Sequence, residues 1–169
     1  MSVEQIEAID VRIYAMAHSE IASEPAKWDP KTRETADHSL PYMLAVALTD
    51  GRIGPASFEP QWYRDPALRP LMSRIRVVPH DEFTRRFPGE LVSEIEVITR
   101  SGERCVERAQ FPKGHARNPM TDADVVTKFH ALSADVLGPA RVGAALDALW
   151  KLEEAPRIGS VLDLFTISR

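Results

Sequence analysis

Alternation of apolar and charged residues predicts a small sheet in the first two-thirds of the chain. Residues 6–14 place branched apolar side chains on one face and charged side chains on the other, which predicts a strand. Residues 90–99 and 103–111 alternate in the same way around a turn at Gly102, which predicts a hairpin. A shorter strand is expected over residues 74–78. The apolar face of such a sheet must be buried against other elements, so we expect a small antiparallel sheet packed with helices.

Helical patterns accompany the strands and take over completely at the end of the chain. Residues 40–48 read LPYMLAVAL, apolar at nearly every position, which predicts a buried helix that stops at Gly51. Later in the chain, apolar residues recur at helical spacing through 121–134 and 140–152. A short last helix is expected within residues 156–165.

Two segments between these elements are predicted to be loops. Residues 18–38 contain two prolines and no clear apolar period. A loop of this length in a compact domain is usually functional or mobile. Residues 79–89 are bounded by proline and glycine and carry mixed charges. Neither segment is expected to contribute a regular element.

The change from mixed to purely helical patterns divides the chain near residue 116. We therefore predict the α+β class, with an α+β domain over residues 1–116 and an all-helical C-terminal segment over 117–169. In that segment Leu132 belongs to an apolar stripe of the first helix, and we assign Leu149 and Trp150 to the inner side of the second helix. Helices this apolar expose a hydrophobic surface unless other protein covers them, so a homo-oligomer is expected.

Composition and charge narrow the classes of function. The 169 residues carry 25 acids against 21 bases, a net charge of −4. This balance lacks the basic excess of a nucleic-acid surface, so we expect no nucleic-acid partner. No apolar run approaches the ~20 residues that span a membrane. The acidic N-terminus also lacks the apolar centre of a signal peptide, which predicts a cytoplasmic protein without a membrane partner.

Cys105 is the single cysteine of the sequence. One thiol can form neither an internal disulfide nor an iron–sulfur cluster, which needs several thiolates. The histidines show no metal-ligand spacing, and no nucleotide-binding or hydrolase motif occurs. We therefore expect no metal and no cofactor. Since Cys105 alternates with polar residues in the second hairpin strand, it is predicted to be a small buried side chain.

The most informative polar cluster precedes the helix that starts at Leu40. Ser39 suits its N-cap, and free backbone N–H groups and the helix dipole favour an anion there. We expect His38 and Tyr42 at the mouth of this site. Asp37 can orient the His38 imidazole or raise its pKa, and the Tyr42 hydroxyl can bind a carboxylate or relay a proton.

A second cationic cluster occupies residues 113–117. Lys113, His115 and Arg117 surround a glycine, and such groups suit a carboxylate ligand. Gly114 is expected to adopt a positive φ. The alternative is a hinge loop whose charges neutralise acids on neighbouring elements and brace the fold.

The run ETADHSLPYMLAVALTDG at 34–51 resembles the C-terminal part of the MmgE/PrpD family, which includes 2-methylcitrate dehydratase and cis-aconitate decarboxylase. Three further stretches fit the same family in the same order. They are FPKGHARNPMT at 111–121, DADVVTKFHAL at 122–132 and SVLDLFTI at 160–167. The resemblance therefore extends over nearly the whole chain.

This resemblance implies a metal-independent lyase that acts on a branched tricarboxylate. A base removes a proton next to a carboxylate, and the β-hydroxyl leaves with acid help. By the same resemblance, His38 and Tyr42 are catalytic, and the substrate-binding residues are Asp37, Ser39, Lys113, His115 and Arg117. Family members are much longer and begin with a large all-helical domain that carries most of the acid, base and binding residues. We therefore expect an incomplete site, inactive alone, that requires a helical N-terminal partner domain.

Two other interpretations stay open. The chain could be a non-catalytic remnant or accessory module that holds a small carboxylate. It could equally be one subunit of a split enzyme whose N-terminal half is a separate polypeptide. Among lyases, the sequence does not separate dehydration from decarboxylation or epimerisation, since the residues that choose between them are expected in the helical domain.

Overall fold

The structure is a computed structural model and describes residues 2–167. Its strands are Ile6–Ile13 (β1), Ile75–Pro79 (β2), Ser93–Thr99 (β3) and Arg104–Ala109 (β4). They form one sheet in the order β2-β1-β3-β4. The predicted strands and the α+β class are confirmed. The sheet is mixed, because β1 and β2 run parallel while the other two pairs are antiparallel. The long crossover between β1 and β2 makes this parallel pairing possible.

Helices fill the crossover, the connection between β2 and β3, and the chain after β4. The α-helices are Ala15–Ile21 (α1), Pro25–Trp28 (α2), Arg33–Asp37 (α3), Leu40–Asp50 (α4), Pro60–Tyr63 (α5), Arg69–Met72 (α6), Asp81–Arg86 (α7), Asp122–Leu137 (α8), Pro139–Trp150 (α9) and Ile158–Leu162 (α10). Short 3₁₀ turns occupy Val3–Gln5, Pro55–Phe58, Pro66–Leu68, Leu152–Glu154 and Asp163–Phe165. The long predicted helices are confirmed.

The two predicted loops, 18–38 and 79–89, were wrong, because both contain short helices. In the first, the Thr32 side chain accepts a hydrogen bond from the N–H of Thr35 and so caps α3. In the second, α7 begins with acidic residues and ends with basic ones, which complements the helix dipole. Such helices depend on caps and terminal charges. They are too short to show an apolar period, which was the pattern used for the prediction.

The apolar face of the sheet forms the core together with α4 and α6. Ile9, Val11 and Ile13 point from β1 into this core and are buried, as predicted. Val46 of α4 and Met72 of α6 belong to the same buried cluster. Since burial of one such side chain contributes ~1.5–3 kcal/mol, this cluster fixes α4 against the sheet.

The opposite face of the sheet carries paired charges. The Arg12 guanidinium lies 2.6 Å from the Glu94 carboxylate and 3.2 Å from that of Glu96, and Arg104 lies 2.7 Å from Glu96. Arg108 stands directly opposite Glu94 in the register. Arg104 of β4 thus pairs with Glu96 of β3, whereas the ion partner of Arg108 is Glu82 of α7 at 3.7 Å.

The predicted burial of Cys105 was wrong. Every residue of β4 is exposed, including this cysteine. The strand lies at the edge of the sheet, and its alternating pattern carried no information on how far the helical cover extends. A side chain on the apolar face can therefore still be solvated at the edge.

The chain divides into two compact units between Pro112 and Lys113. The first unit contains the sheet and α1 to α7, and the second contains α8 to α10. The predicted boundary at residue 116 falls in the connection between β4 and α8.

The second unit has a small buried centre and a large apolar exterior. Val142, Ala145 and Val161 are buried. The inner assignment of Leu149 and Trp150 was wrong, because both are exposed. Leu149 follows Val142 by two turns and lies on the same side of α9. The apolar period of the sequence therefore identified the side of α9 that contains the buried Val142. Within the part of the chain that the structure describes, no element buries that last turn.

Candidate functional site

The start of α4 is built by Ser39. Its side chain accepts a hydrogen bond from the N–H of Tyr42 at 3.1 Å, and its hydroxyl donates to the carbonyl of Lys27. Pro41 takes the second helical position, and Gly51 ends the helix with φ of +72°. The predicted cap and stop are therefore confirmed. Ser39 is fully buried, so its hydroxyl serves the protein in this structure.

Tyr42 lies inside the first unit, which corrects the expectation that it faces the mouth of the site. The side chain is fully buried, and its hydroxyl donates a hydrogen bond to the carbonyl of Ser57. Burial raises the pKa of this phenol to about 12, so it is a neutral donor at neutral pH. The helix is apolar at nearly every position, and the sequence pattern therefore could not show which way the tyrosine points.

His38 ends α3 immediately before Ser39 and is exposed. Its Nδ1 lies 2.5 Å from the Asp37 carboxylate and 3.1 Å from the carbonyl of Glu34. These contacts raise the pKa of His38 above its ordinary value, the Asp37 hydrogen bond first and the Glu34 carbonyl second. Both contacts use Nδ1, so Nε2 is the nitrogen that can exchange a proton with a ligand.

Replacing Asp37 with asparagine is expected to lower the pKa of His38 towards the ordinary histidine value. The present pKa is raised because Asp37 favours the imidazolium, so the charged form persists to higher pH than usual. The change can be measured by NMR titration of the imidazole protons, and the other four histidines serve as internal controls. An unchanged His38 titration curve would contradict the pairing.

Arg69 is a residue near Tyr42 that no sequence pattern singles out. Its Nε donates to the Asp29 carboxylate at 2.9 Å, and its Nη2 donates to the carbonyl of Tyr63 at 2.8 Å. The same cation opposes the rise of the Tyr42 pKa. Arg69 thereby joins α6 to the segment after α2 and to the end of α5. No spacing rule in the sequence indicated this role.

The cationic residues 113–117 belong to the second unit. Lys113 Nζ lies 2.7 Å from Asp124, which also binds Thr121 at the start of α8 and has its pKa held well below the usual range, mainly by Lys113. His115 Nδ1 accepts from the N–H of Arg117 at 3.1 Å. Gly114 has φ of +94°, which confirms the expected positive value.

The predicted site residues thus form two groups. His38, Asp37, Ser39 and Tyr42 surround the start of α4 in the first unit, and Lys113, His115 and Arg117 lie before α8 in the second. The Lys113–Asp124 ion pair agrees with the alternative interpretation of residues 113–117, in which their charges neutralise acids on neighbouring elements. Within residues 2–167, no three histidine, cysteine or carboxylate side chains are placed to hold a metal ion. In the same range, no helix combines the length and apolarity that crossing a membrane demands.

The sequence of this chain is similar to that of a known protein family. Residues 1–152 match the sequence model of the MmgE/PrpD C-terminal domain. Cis-aconitate decarboxylase of Mus musculus is 28% identical over 125 residues, which is 74% of this chain and 25% of that protein. Cis-aconitate decarboxylase of Homo sapiens is 27% identical over 125 residues, 74% of this chain and 26% of that protein. The chain therefore spans about a quarter of the length of these relatives.

Proposed function

Because the chain belongs to the MmgE/PrpD family, we propose that it contributes part of the site of a metal-independent lyase that acts on a branched tricarboxylate. The match over residues 1–152 supports this proposal, as do two relatives named for the decarboxylation of cis-aconitate, itself a tricarboxylate. The observation that carries it is the exposed His38 imidazole held by Asp37 at the start of α4.

In the proposed reaction His38 acts as the acid. A base removes the proton next to a substrate carboxylate, the carbon–oxygen bond of the β-hydroxyl breaks, and the leaving oxygen takes a proton from His38 Nε2 to become water. Asp37 holds Nδ1 and favours the charged imidazole, which is the form that an acid requires. Lys113, His115 and Arg117 of the second unit are proposed, separately from this group, to bind a carboxylate.

Tyr42 supports this site from inside the first unit. Its ring packs near Phe58, with centroids 6.3 Å apart, and its hydroxyl fixes the Pro55–Phe58 turn. Direct proton transfer by Tyr42 would require its hydroxyl to exchange the Ser57 carbonyl for the substrate. We therefore propose that Tyr42 mainly positions the start of α4.

The base is proposed to lie on a helical partner domain, joined to this chain or supplied separately. The His38 imidazole and the Tyr42 hydroxyl do not suit this role, since the raised pKa of His38 favours its acid form and the Tyr42 hydroxyl already donates to the Ser57 carbonyl. Dehydration is the reaction written above, and decarboxylation or epimerisation would use the same carboxylate contacts with a different fate for the carbanion.

We expect the purified chain alone to show no turnover of 2-methylcitrate or citrate, because the base is missing. The measurement is a coupled or NMR assay of product formation with contaminating host enzyme excluded. A matched assay with an MmgE/PrpD helical domain added should restore activity. Robust turnover by the 169-residue chain alone would contradict the incomplete site.

A non-catalytic carboxylate-binding module is the second candidate. It is favoured by one observation, the internal use of the Ser39 and Tyr42 hydroxyls, which leaves fewer groups to act on a substrate. NMR shift mapping with citrate separates the two candidates when combined with the activity assay. Citrate shifts at His38 without activity in any combination with a helical domain would favour the module.

A further inference from the structure

Lys27 is brought close to His38 by a backbone contact, although the two residues are distant in sequence. The hydroxyl of Ser39, the residue after His38, donates a hydrogen bond to the carbonyl of Lys27. The N–H of Lys27 donates to the carbonyl of Glu24 at 3.0 Å, within the first turn of α2. The backbone of Lys27 therefore lies against the start of α4, one residue from His38.

The backbone that follows Lys27 is held firmly in the first unit. The Trp28 indole donates a hydrogen bond to a backbone carbonyl at 2.8 Å, and Arg69 holds the Asp29 carboxylate at 2.9 Å. Pro30 is fully buried. All of these contacts use backbone atoms or neighbouring side chains. The position of Lys27 is therefore fixed without any use of its ammonium group.

The charges around His38 leave a local excess of positive charge. Asp37 pairs with the imidazole and raises the pKa of His38, whereas the Lys27 ammonium is near enough to oppose that rise. Lys31, on the same segment, is already paired with Asp29 at 2.7 Å. In the part of the chain that the structure describes, no carboxylate forms an ion pair with Lys27. Once the imidazole is protonated, two cations therefore share one carboxylate, which favours a bound anion.

We propose that Lys27 binds a carboxylate of the same ligand that His38 contacts. This inference rests on the proposed function for the role of His38, and it adds a binding residue that no sequence pattern singles out. A substrate that carries a hydroxyl beside a carboxylate places the hydroxyl at His38 Nε2 and the carboxylate at the Lys27 ammonium. The three N–H donors of that group stand on a flexible stem and can follow the carboxylate. Lys27 thereby favours hydroxy acids with several carboxylates over ligands with an isolated hydroxyl.

A titration of the full 169-residue chain with citrate at constant ionic strength tests Lys27, with NMR shifts of the His38 imidazole as the signal. Lys27→Gln should weaken citrate binding by roughly 3- to 10-fold, the effect of one partly exposed ion pair. Lys27→Arg keeps the charge and should bind citrate nearly as well as the unaltered chain. Both substitutions keep the backbone carbonyl that Ser39 uses, and far-UV circular dichroism verifies that the fold is retained.

Lys31→Gln is the matched control for the change of net charge. It removes a cation from the same segment, but one whose ammonium is already paired with Asp29. The affinity for citrate should therefore stay as it is in the unaltered chain. An equal loss in Lys31→Gln and Lys27→Gln would mean general electrostatic attraction and would overturn the proposal.

Two further readouts separate a binding role of Lys27 from a structural one. Without ligand, Lys27→Gln should raise the pKa of His38, because the cation that opposes the imidazolium is gone. In an enzyme completed by a helical MmgE/PrpD domain, the same variant should raise KM several-fold and change kcat less, since the carboxylate is bound before and during the reaction. A loss of structure would instead lower the activity without this division.

The outcomes distinguish this proposal from the proposed function. Unchanged citrate affinity in Lys27→Gln would overturn the role of Lys27 and leave His38 as the proposed acid. The absence of citrate-dependent shifts at both residues, with and without the helical domain, would overturn it as well. If Lys27→Gln weakens citrate binding but no combination with a helical domain shows lyase activity, the binding site is retained and the proposed reaction is wrong.

Discussion

Replacing Tyr42 with alanine is expected to lower the free energy of unfolding of the first unit by about 3–5 kcal/mol. The ring is fully buried in the cluster that joins α4 to the sheet, so truncation leaves a cavity there. The hydroxyl also binds the Ser57 carbonyl, which loses its donor. Urea unfolding followed by circular dichroism and by tryptophan fluorescence measures the change.

Two further variants separate the contribution of the Tyr42 hydroxyl from that of its ring and provide a control. Tyr42→Phe removes only the hydrogen bond to Ser57 and should cost about 1–2 kcal/mol. Trp62→Ala truncates an exposed aromatic residue of the same unit and should change stability by less than about 1 kcal/mol. A Tyr42→Ala protein as stable as the Trp62→Ala protein would contradict the structural role and return Tyr42 to the surface of the site.

The parts of the fold that the sequence predicted correctly are those in which an apolar period runs for more than one turn or one strand. Residues 6–14 alternate because one face of β1 is buried against α4 while the other carries Arg12 and its glutamates. The α8 helix was predicted because its apolar period is local, and in the structure Thr121 caps it through the N–H of Asp124, three residues away. Such local patterns can be recognised in the sequence without knowledge of the tertiary structure.

The predictions were wrong at positions where contacts with residues distant in sequence determine burial or secondary structure. Tyr42 is compatible with either side of an apolar helix, and the Ser57 carbonyl that receives its hydroxyl is fifteen residues away. Cys105 faces the same side of the hairpin as Val97, but it lies on the edge strand, where every residue is exposed. The short helices α2, α3 and α7 span only four to six residues and leave no apolar period in the sequence. Arg69 acts through backbone carbonyls and a single carboxylate, which no motif predicts.

In the candidate site, too, local contacts were predicted and contacts between distant residues were not. The cap by Ser39 and the pairing of His38 with Asp37 involve residues that are adjacent or nearly adjacent in sequence, and both were predicted. The internal use of the Ser39 hydroxyl by the Lys27 carbonyl involves a contact across twelve residues and was not. Of the four residues gathered at α4, His38 therefore keeps an exposed, chargeable group that a ligand can reach.

In an enzyme that combines this chain with a helical MmgE/PrpD domain, His38→Ala is expected to lower kcat by roughly 10²- to 10⁴-fold, the usual contribution of a positioned acid. The reason is that the leaving hydroxyl would lose its proton donor. Asp37→Asn should have a smaller effect on kcat at low pH. His18→Ala, at a partly exposed position of α1, is the matched control and should leave kcat unchanged.

The pH profile provides the sharper test of this assignment. An acid works only while protonated, so activity should fall as pH rises through the pKa of His38, which Asp37 holds above the ordinary value. Asp37→Asn removes that support and should move the alkaline limb of the profile to lower pH. An alkaline limb that stays in place in the Asp37→Asn enzyme would mean that another group donates the proton. A His38→Ala enzyme with full kcat would remove His38 from the reaction and leave the start of α4 as a structural element.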